Sequence, residues 1–113
     1  MKKFQLGEFE EVVMLTVGLL YNEAYGVAIK NEIELRLERK VSVGALQTAL
    51  HRLEKKGLLK SWESEGNQER AGRPKRFFNI TALGKQALEH AKTTRESLWK
   101  AIPQVVWEIK TSH

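Results

Sequence analysis

Between Val43 and Lys56 the apolar residues Val43, Leu46, Leu50 and Leu53 return every three or four positions, a spacing that an α-helix gathers onto one face. At about 100° per residue the opposite arc collects Gly44, Thr48, His51, Arg52 and Lys55, with Gln47 on one flank and Ala45 and Lys56 on the other. The four apolar residues are expected to face a core, and the small, polar and basic remainder to face outward. Gly57 follows directly and suits the residue that closes a helix. The rest of the chain must therefore supply a core on one side of this segment.

The flanking sequence is suited to do so. Residues 8–21 are apolar on nearly all sides after an acidic first turn of Glu8, Glu10 and Glu11, which predicts a buried helix. Beyond the connector Asn22-Glu23-Ala24, Tyr25, Ile29, Ile33 and Leu37 recur every four residues and predict a second, amphipathic helix. Val41-Ser42-Val43 reads as a turn with Ser42 near the cap of the third helix. Residues 58–64 and 75–80 are short and rich in aromatic and branched side chains, and the polar, Gly-bearing stretch between them predicts a hairpin with a long tip. A hairpin alone is marginal in water, so some of Leu59, Trp62, Phe77, Phe78 and Ile80 must pack on the helices, with Trp62 in its core or at its rim. Thr81 is the expected N-cap of a last helix running past Leu98.

In that last helix Leu88, Ala91, Arg95, Leu98, Ile102, Val105 and Ile109 alternate spacings of three and four, the seam of a coiled coil interrupted by Arg95. From Thr81 to Ile102 a helix extends about 33 Å, further than a small core covers. A second copy of the chain is the natural cover, with Leu88, Ala91, Leu98, Ile102, Val105 and Ile109 as the expected interface. Pro103 predicts a kink or a fresh helix start. Trp99 and Trp107 are candidate walls for a small aromatic ligand at that interface, against the simpler reading that they pack apolar surface between subunits.

The chain has 113 residues, about one domain, and no cysteine, which excludes a disulfide framework, a thiol nucleophile and Cys-based metal sites. His51, His90 and His113 stand at no paired ligand spacing, and no HExxH, GxSxG or Gly-rich phosphate loop occurs, so neither a metal, a cofactor nor an enzymatic activity is expected. The start, Met1-Lys2-Lys3-Phe4, runs into glutamates, and no apolar run approaches the roughly 18 residues of a membrane span. A cytoplasmic protein without membrane contact is expected. Its charge is uneven: residues 1–38 hold 4 basic against 7 acidic residues, 39–76 hold 10 against 4, and 77–113 hold 5 against 3. A positive middle third is the pattern of a surface that neutralises phosphates, although a solvated face produces it too. Mounted on a helix with a small, polar outer face, it fits a DNA major groove.

Four stretches carry a resemblance. Leu6-Gly7-Glu8-Phe9-Glu10-Glu11 and Glu23-Ala24-Tyr25-Gly26 precede Gly44-Ala45-Leu46-Gln47-Thr48-Ala49-Leu50-His51-Arg52-Leu53-Glu54-Lys55-Lys56-Gly57-Leu58, and Gly72-Arg73-Pro74-Lys75-Arg76-Phe77-Phe78-Asn79-Ile80-Thr81 follows. Over about residues 6–90 the chain resembles the PadR-like transcriptional regulators, in order and in spacing. The resemblance implies a mainly α fold with a small β-hairpin: a winged helix-turn-helix over residues 1–80 and a C-terminal dimerisation helix over 81–113, together one structural unit. It implies a homodimeric repressor of double-stranded DNA with a two-fold-related operator, released in many relatives by a small, often aromatic, effector. Tyr25, Ser42, Gly44, Gln47, Thr48, His51, Arg52 and Lys55 are the candidate DNA contacts, with Arg73, Lys75 and Arg76 on the wing. Strand alternation sends Lys75 and Arg76 to opposite faces, so at most one of the pair points at a duplex.

Two features depart from the family pattern. Gln47 stands where a tyrosine is usual, and Phe77-Phe78 replace the usual tyrosine pair of the wing strand. The first change removes a phenolic hydroxyl, yet Gln still donates to phosphate or reads adenine. The chain ends soon after Ile109, like the short branch of the family with one C-terminal helix. The competing reading is a winged-helix module that docks a protein through its apolar last helix, the basic face serving solubility. Salt separates the two, since DNA binding collapses as salt rises and an apolar interface hardly responds.

Overall fold

The computed structural model describes residues 5–64 and 74–110. The first helix, α1 (Glu8–Leu19), starts at Gly7, whose N–H donates to the Glu10 carboxylate at 3.0 Å. After a short connector comes α2 (Gly26–Leu37), then α3 (Val43–Lys55), capped by Ser42, whose Oγ accepts from the Ala45 N–H at 3.0 Å. Gly57 takes the left-handed φ of 79° that ends α3. Around it the Gly57 N–H donates to the Glu54 carbonyl and the Leu58 N–H to the Leu53 carbonyl, both at 2.9 Å, satisfying two acceptors the helix leaves over.

This reversal feeds β1 (Leu59–Glu63), which pairs antiparallel with β2 (Arg76–Ile80), Leu59 opposite Ile80 and Trp62 opposite Phe77. The connector between α1 and α2 lies along the other edge of β2: the Phe78 N–H donates to the Ala24 carbonyl at 2.9 Å, and Tyr25 bridges to Phe77. Thr81 then caps α4 (Ala82–Ala101), accepting from the Gly84 N–H at 2.9 Å while its hydroxyl donates to the Gly57 carbonyl at 2.6 Å. A short α5 (Gln104–Trp107) follows. The core gathers Val13, Met14 and Val17 of α1, Ile29 and Ile33 of α2 and Leu46, Leu50 and Leu53 of α3. Leu58, Leu59, Phe78 and Ala87 close it from the hairpin and α4.

The structure corrects several expectations. Val43, expected inside, is 60% exposed: as the first residue of α3 it lies ahead of the turn that reaches the core. Leu37, expected inward, is exposed because α2 ends there and Glu38 turns left-handed at φ 49°. The buried helix expected over 8–21 buries one side only. Leu15 and Leu19 are exposed, and Tyr21, beyond the helix end, is 75% exposed. The last helix stops at Ala101, and Ile102 is extended with ψ 124°, so α5 is a fresh start after Pro103. Val105 and Ile109 therefore do not continue the seam of Leu88, Ala91 and Leu98 along one straight helix. Among the described residues, no helix is long and apolar enough to cross a membrane.

Candidate nucleic-acid interface

The interface is built on α3. Leu46, Ala49, Leu50 and Leu53 are buried, which fixes the rotation of the helix and leaves Gly44, Gln47, Thr48, His51, Arg52 and Lys55 exposed in one surface. The side chains of Gln47, Thr48, His51, Arg52 and Lys55 form no hydrogen bond or ion pair with any described residue. Several cations of the surrounding elements are paired, although surface lysines such as Lys60 and Lys85 form no ion pair with a described residue either. Lys30 holds Glu34 at 3.3 Å, Arg39 holds Glu8 at 3.6 Å, Lys56 holds Glu10 at 3.3 Å and Arg95 holds Glu11 at 2.7 Å. The outer face of α3 thus keeps its charge available, while Lys56 on its flank is committed to α1.

The turn leading into α3 is fixed by a carboxylate. Glu34 Oε2 accepts from the Val41 N–H at 2.8 Å, and this bond, with the Lys30 ammonium beside it, holds the Glu34 carboxyl below its ordinary pKa against the opposing effect of desolvation. Ser42 accepts with its oxygen as the cap, so its hydroxyl proton is left for a further acceptor. At Gly44 nothing stands within 4 Å of where a Cβ would be, so a duplex backbone can come close there.

The structure brings a second group of the candidate residues together. Tyr25, Gln47, Lys75 and Arg76, with Lys30 and Val43, line a cleft of about 240 Å³ where the start of α2, α3 and β2 meet. The Lys75 ammonium lies 3.8 Å from the centre of the Tyr25 ring, and Tyr25 meets Phe77 edge-on at 5.5 Å. Arg76 goes another way and lies 4.0 Å from Glu63 on β1. Sequence reasoning missed Lys30 as part of this group; its i,i+4 pairing with Glu34 is the one signal that could have marked it. Trp62 sits at the rim of the hairpin, 40% exposed and stacked on Phe77 at 5.7 Å. Arg73 lies outside the described residues.

The C-terminal residues form a separate surface. Leu88 and Ala91 are half-buried against their own chain, while Leu98, Val105 and Ile109 are exposed and Ile102 is intermediate. Trp99, 63% exposed, stacks on Trp107 with ring centres 5.1 Å apart and planes 7° from parallel. On one continuous helix these residues would lie about 12 Å apart; the break at Ile102–Pro103 folds α5 back and closes the distance. A groove of about 450 Å³ with Leu15, Leu88 and Trp99 in its lining runs between α1 and α4. No cluster of three His, Cys, Asp or Glu suited to a metal occurs among the described residues.

The family model of the transcriptional regulator PadR-like family matches residues 15–90. The chain belongs to that family. PadR-like proteins are DNA-binding transcription regulators and not enzymes. Solved structures agree with the fold. The chain is similar to a PadR family transcription regulator of Clostridium difficile R20291, at 28% identity over 87% of this chain and 98% of the other, with a TM-score of 0.66. It is similar also to a PadR-like transcription factor of Bacteroides fragilis, at 26% identity over 93% of both chains and a TM-score of 0.73. A complex structure of hsRosR, RosR-S4, matches at 25% identity over 91% of this chain and 83% of the other, with a TM-score of 0.68. No curated protein matches. The mainly α winged fold of this PadR-like chain, with its two-stranded hairpin, is the fold of the family.

Proposed function

We propose that this PadR-like regulator acts as a homodimeric repressor, laying α3 of each copy in the major groove of one half of a two-fold-related operator. The observation that carries the reading is the outer face of α3, where burial of Leu46, Ala49, Leu50 and Leu53 presents Gln47, Thr48, His51, Arg52 and Lys55 together on one exposed surface, Arg52 and Lys55 without a carboxylate partner among the described residues. Free cations beside Gln47, Thr48 and His51 combine phosphate attraction with groups that read base edges. Ser42 and Gly44 at the start of α3, and Tyr25 and Lys75 at the wing base, meet the flanking backbone, joined by Arg73, while Arg76, turned toward Glu63, does not.

In this reading residues 1–80 hold the DNA-binding part and 81–113 the dimer contacts, the two working as one unit in the cytoplasm. The exposed apolar residues of α4 and α5 around Leu98, Val105 and Ile109 are the surface a second copy covers, with Leu88, Ala91 and Ile102 at its margin. The paired α4 helices set the separation of the two α3 helices, which must be about 34 Å for half-sites one helical turn apart. A small aromatic effector at Trp99 and Trp107 would release DNA by favouring a different crossing of those helices.

The test is duplex binding as salt is varied. Arg52→Ala is expected to weaken operator binding by about 1–3 kcal/mol, and Arg73→Ala to lower the salt slope by about one. Binding that hardly responds to salt, with both variants unchanged, would favour instead a module that docks a protein through α4 and α5.

A further inference from the structure

Glu54 is out of place on α3. It is the one acidic residue of that helix, near Arg52, Lys55 and Lys56 in sequence, and a carboxylate close to a surface offered to phosphates repels them. Its Oε2 accepts a 2.6 Å hydrogen bond from the hydroxyl of Ser61 on β1, and the pair is partly buried. A bond to an ionised acceptor at that length is of the stronger kind.

The position of Ser61 gives the bond leverage. Ser61 stands opposite Phe78, whose ring is buried, so it lies on the inward face of the hairpin. β1 leaves α3 through the reversal at Gly57, and Ser61 is about 7 Å into the strand from Leu59, on the way to the tip. The other strand is fastened to a different element: the Phe78 N–H to the Ala24 carbonyl, and Lys75 over the Tyr25 ring at the start of α2. Beside the shared core of Leu50, Leu53, Leu59 and Phe78, the Glu54–Ser61 bond is the side-chain hydrogen bond between the hairpin and α3 itself among the described residues.

We infer that Glu54 is a positioning residue: through Ser61 it locks the wing at one angle to α3, so that the cations of both elements meet the same duplex together. The inference rests on the DNA-binding reading above. It runs against simple electrostatics, under which removing a carboxylate from a DNA-facing helix tightens binding. If the lock matters more, the same removal loosens binding, because the wing must then be ordered each time a duplex is bound.

Anisotropy of a fluorescein-labelled mixed-sequence duplex, three helical turns long and titrated over a range of salt, tests this. Glu54→Ala and Ser61→Ala are each expected to weaken binding about tenfold at low salt and to flatten the salt slope by about one for each phosphate that the wing no longer reaches. Ser61→Thr, which keeps the hydroxyl, is expected to bind as wild type, and the double alanine variant no more weakly than either single one. Hydrogen exchange read on the same proteins without DNA is expected to be faster at Ser64 and Phe78 in Ser61→Ala, with the α3 amides unchanged. Should Glu54→Ala fail to fold, Ser61→Ala, which removes a single oxygen, still decides. Tighter binding by Glu54→Ala, or wild-type binding and wing exchange in Ser61→Ala, would overturn the inference. Wild-type protein that ignored duplex DNA would instead remove the reading beneath it, with wing exchange still reporting on the lock.

Discussion

Gly84 marks where α4 is seated on the winged helix, and replacing it by alanine isolates the packing of that junction. Gly84 is buried in the first turn of α4, and a Cβ there would land on the backbone carbonyl oxygen of Leu58, with Ile80 Cγ2 and Met14 Cε each 3.0 Å away. The methyl groups can give by a few tenths of an ångström. The carbonyl cannot, because it accepts from the Thr81 N–H at 3.2 Å at the same junction where the Thr81 hydroxyl holds Gly57. Overpacking of this kind costs about 1–3 kcal/mol, at the upper end where backbone must move, while alanine regains about 1 kcal/mol of helix propensity. The net expectation is a loss of about 2 kcal/mol, or a fall in Tm of about 8 °C for a chain of this length. Gly44→Ala is the control, since no atom lies within 4 Å of its Cβ and α3 gains up to about 1 kcal/mol. Thermal unfolding followed by circular dichroism at matched protein concentration reads both. Gly84→Ala as stable as wild type would refute the packing argument.

Three further outcomes follow from single contacts. Leu50→Ala, which empties a fully buried site in α3, is expected to cost about 2–5 kcal/mol in urea unfolding with an unchanged m-value. Ser42→Ala removes the oxygen that caps α3 and is expected to cost about 1 kcal/mol in the same assay, whereas Ser42→Asp should hold close to wild type. Glu34 has a folded-state pKa lowered chiefly by the Val41 N–H, so its contribution is present above the unfolded carboxylate pKa and is lost as pH falls through the folded value. Tm measured against pH should therefore fall more steeply toward acid in wild type than in Glu34→Gln, and parallel curves would contradict the assignment.

The helix-turn-helix is legible in the sequence because its periodicities belong to this chain's own core. Leu46, Leu50 and Leu53 point inward as their spacing demands, and Ser42, Gly57 and Thr81 take the cap positions their chemistry favours. Periodicity identifies a face and does not say how far along it a neighbour reaches, which is why Val43 and Leu37 at helix ends are exposed. The all-round apolarity of α1 misleads for a related reason. Leu15 belongs to the groove shared with Leu88 and Trp99, a surface that the single chain leaves open. Contacts between segments distant in sequence have no local signal. The bridge of Tyr25 to Phe77, the Glu54–Ser61 bond and the stacking of Trp99 on Trp107 all depend on where the chain turns. Pro103 announces the last of these turns without fixing its direction.

The central claim is that the free outer face of α3 is what meets DNA. Nuclear magnetic resonance of the labelled protein, titrated with a duplex from upstream of its own gene, tests it residue by residue. The Gln47 side-chain amide, the His51 ring and the Arg52 guanidinium are expected to shift together, with Lys75 and Phe77 of the wing following and Leu98 to Ile109 silent. Shifts confined to α4 and α5, with Gln47, His51 and Arg52 unmoved, would contradict the account.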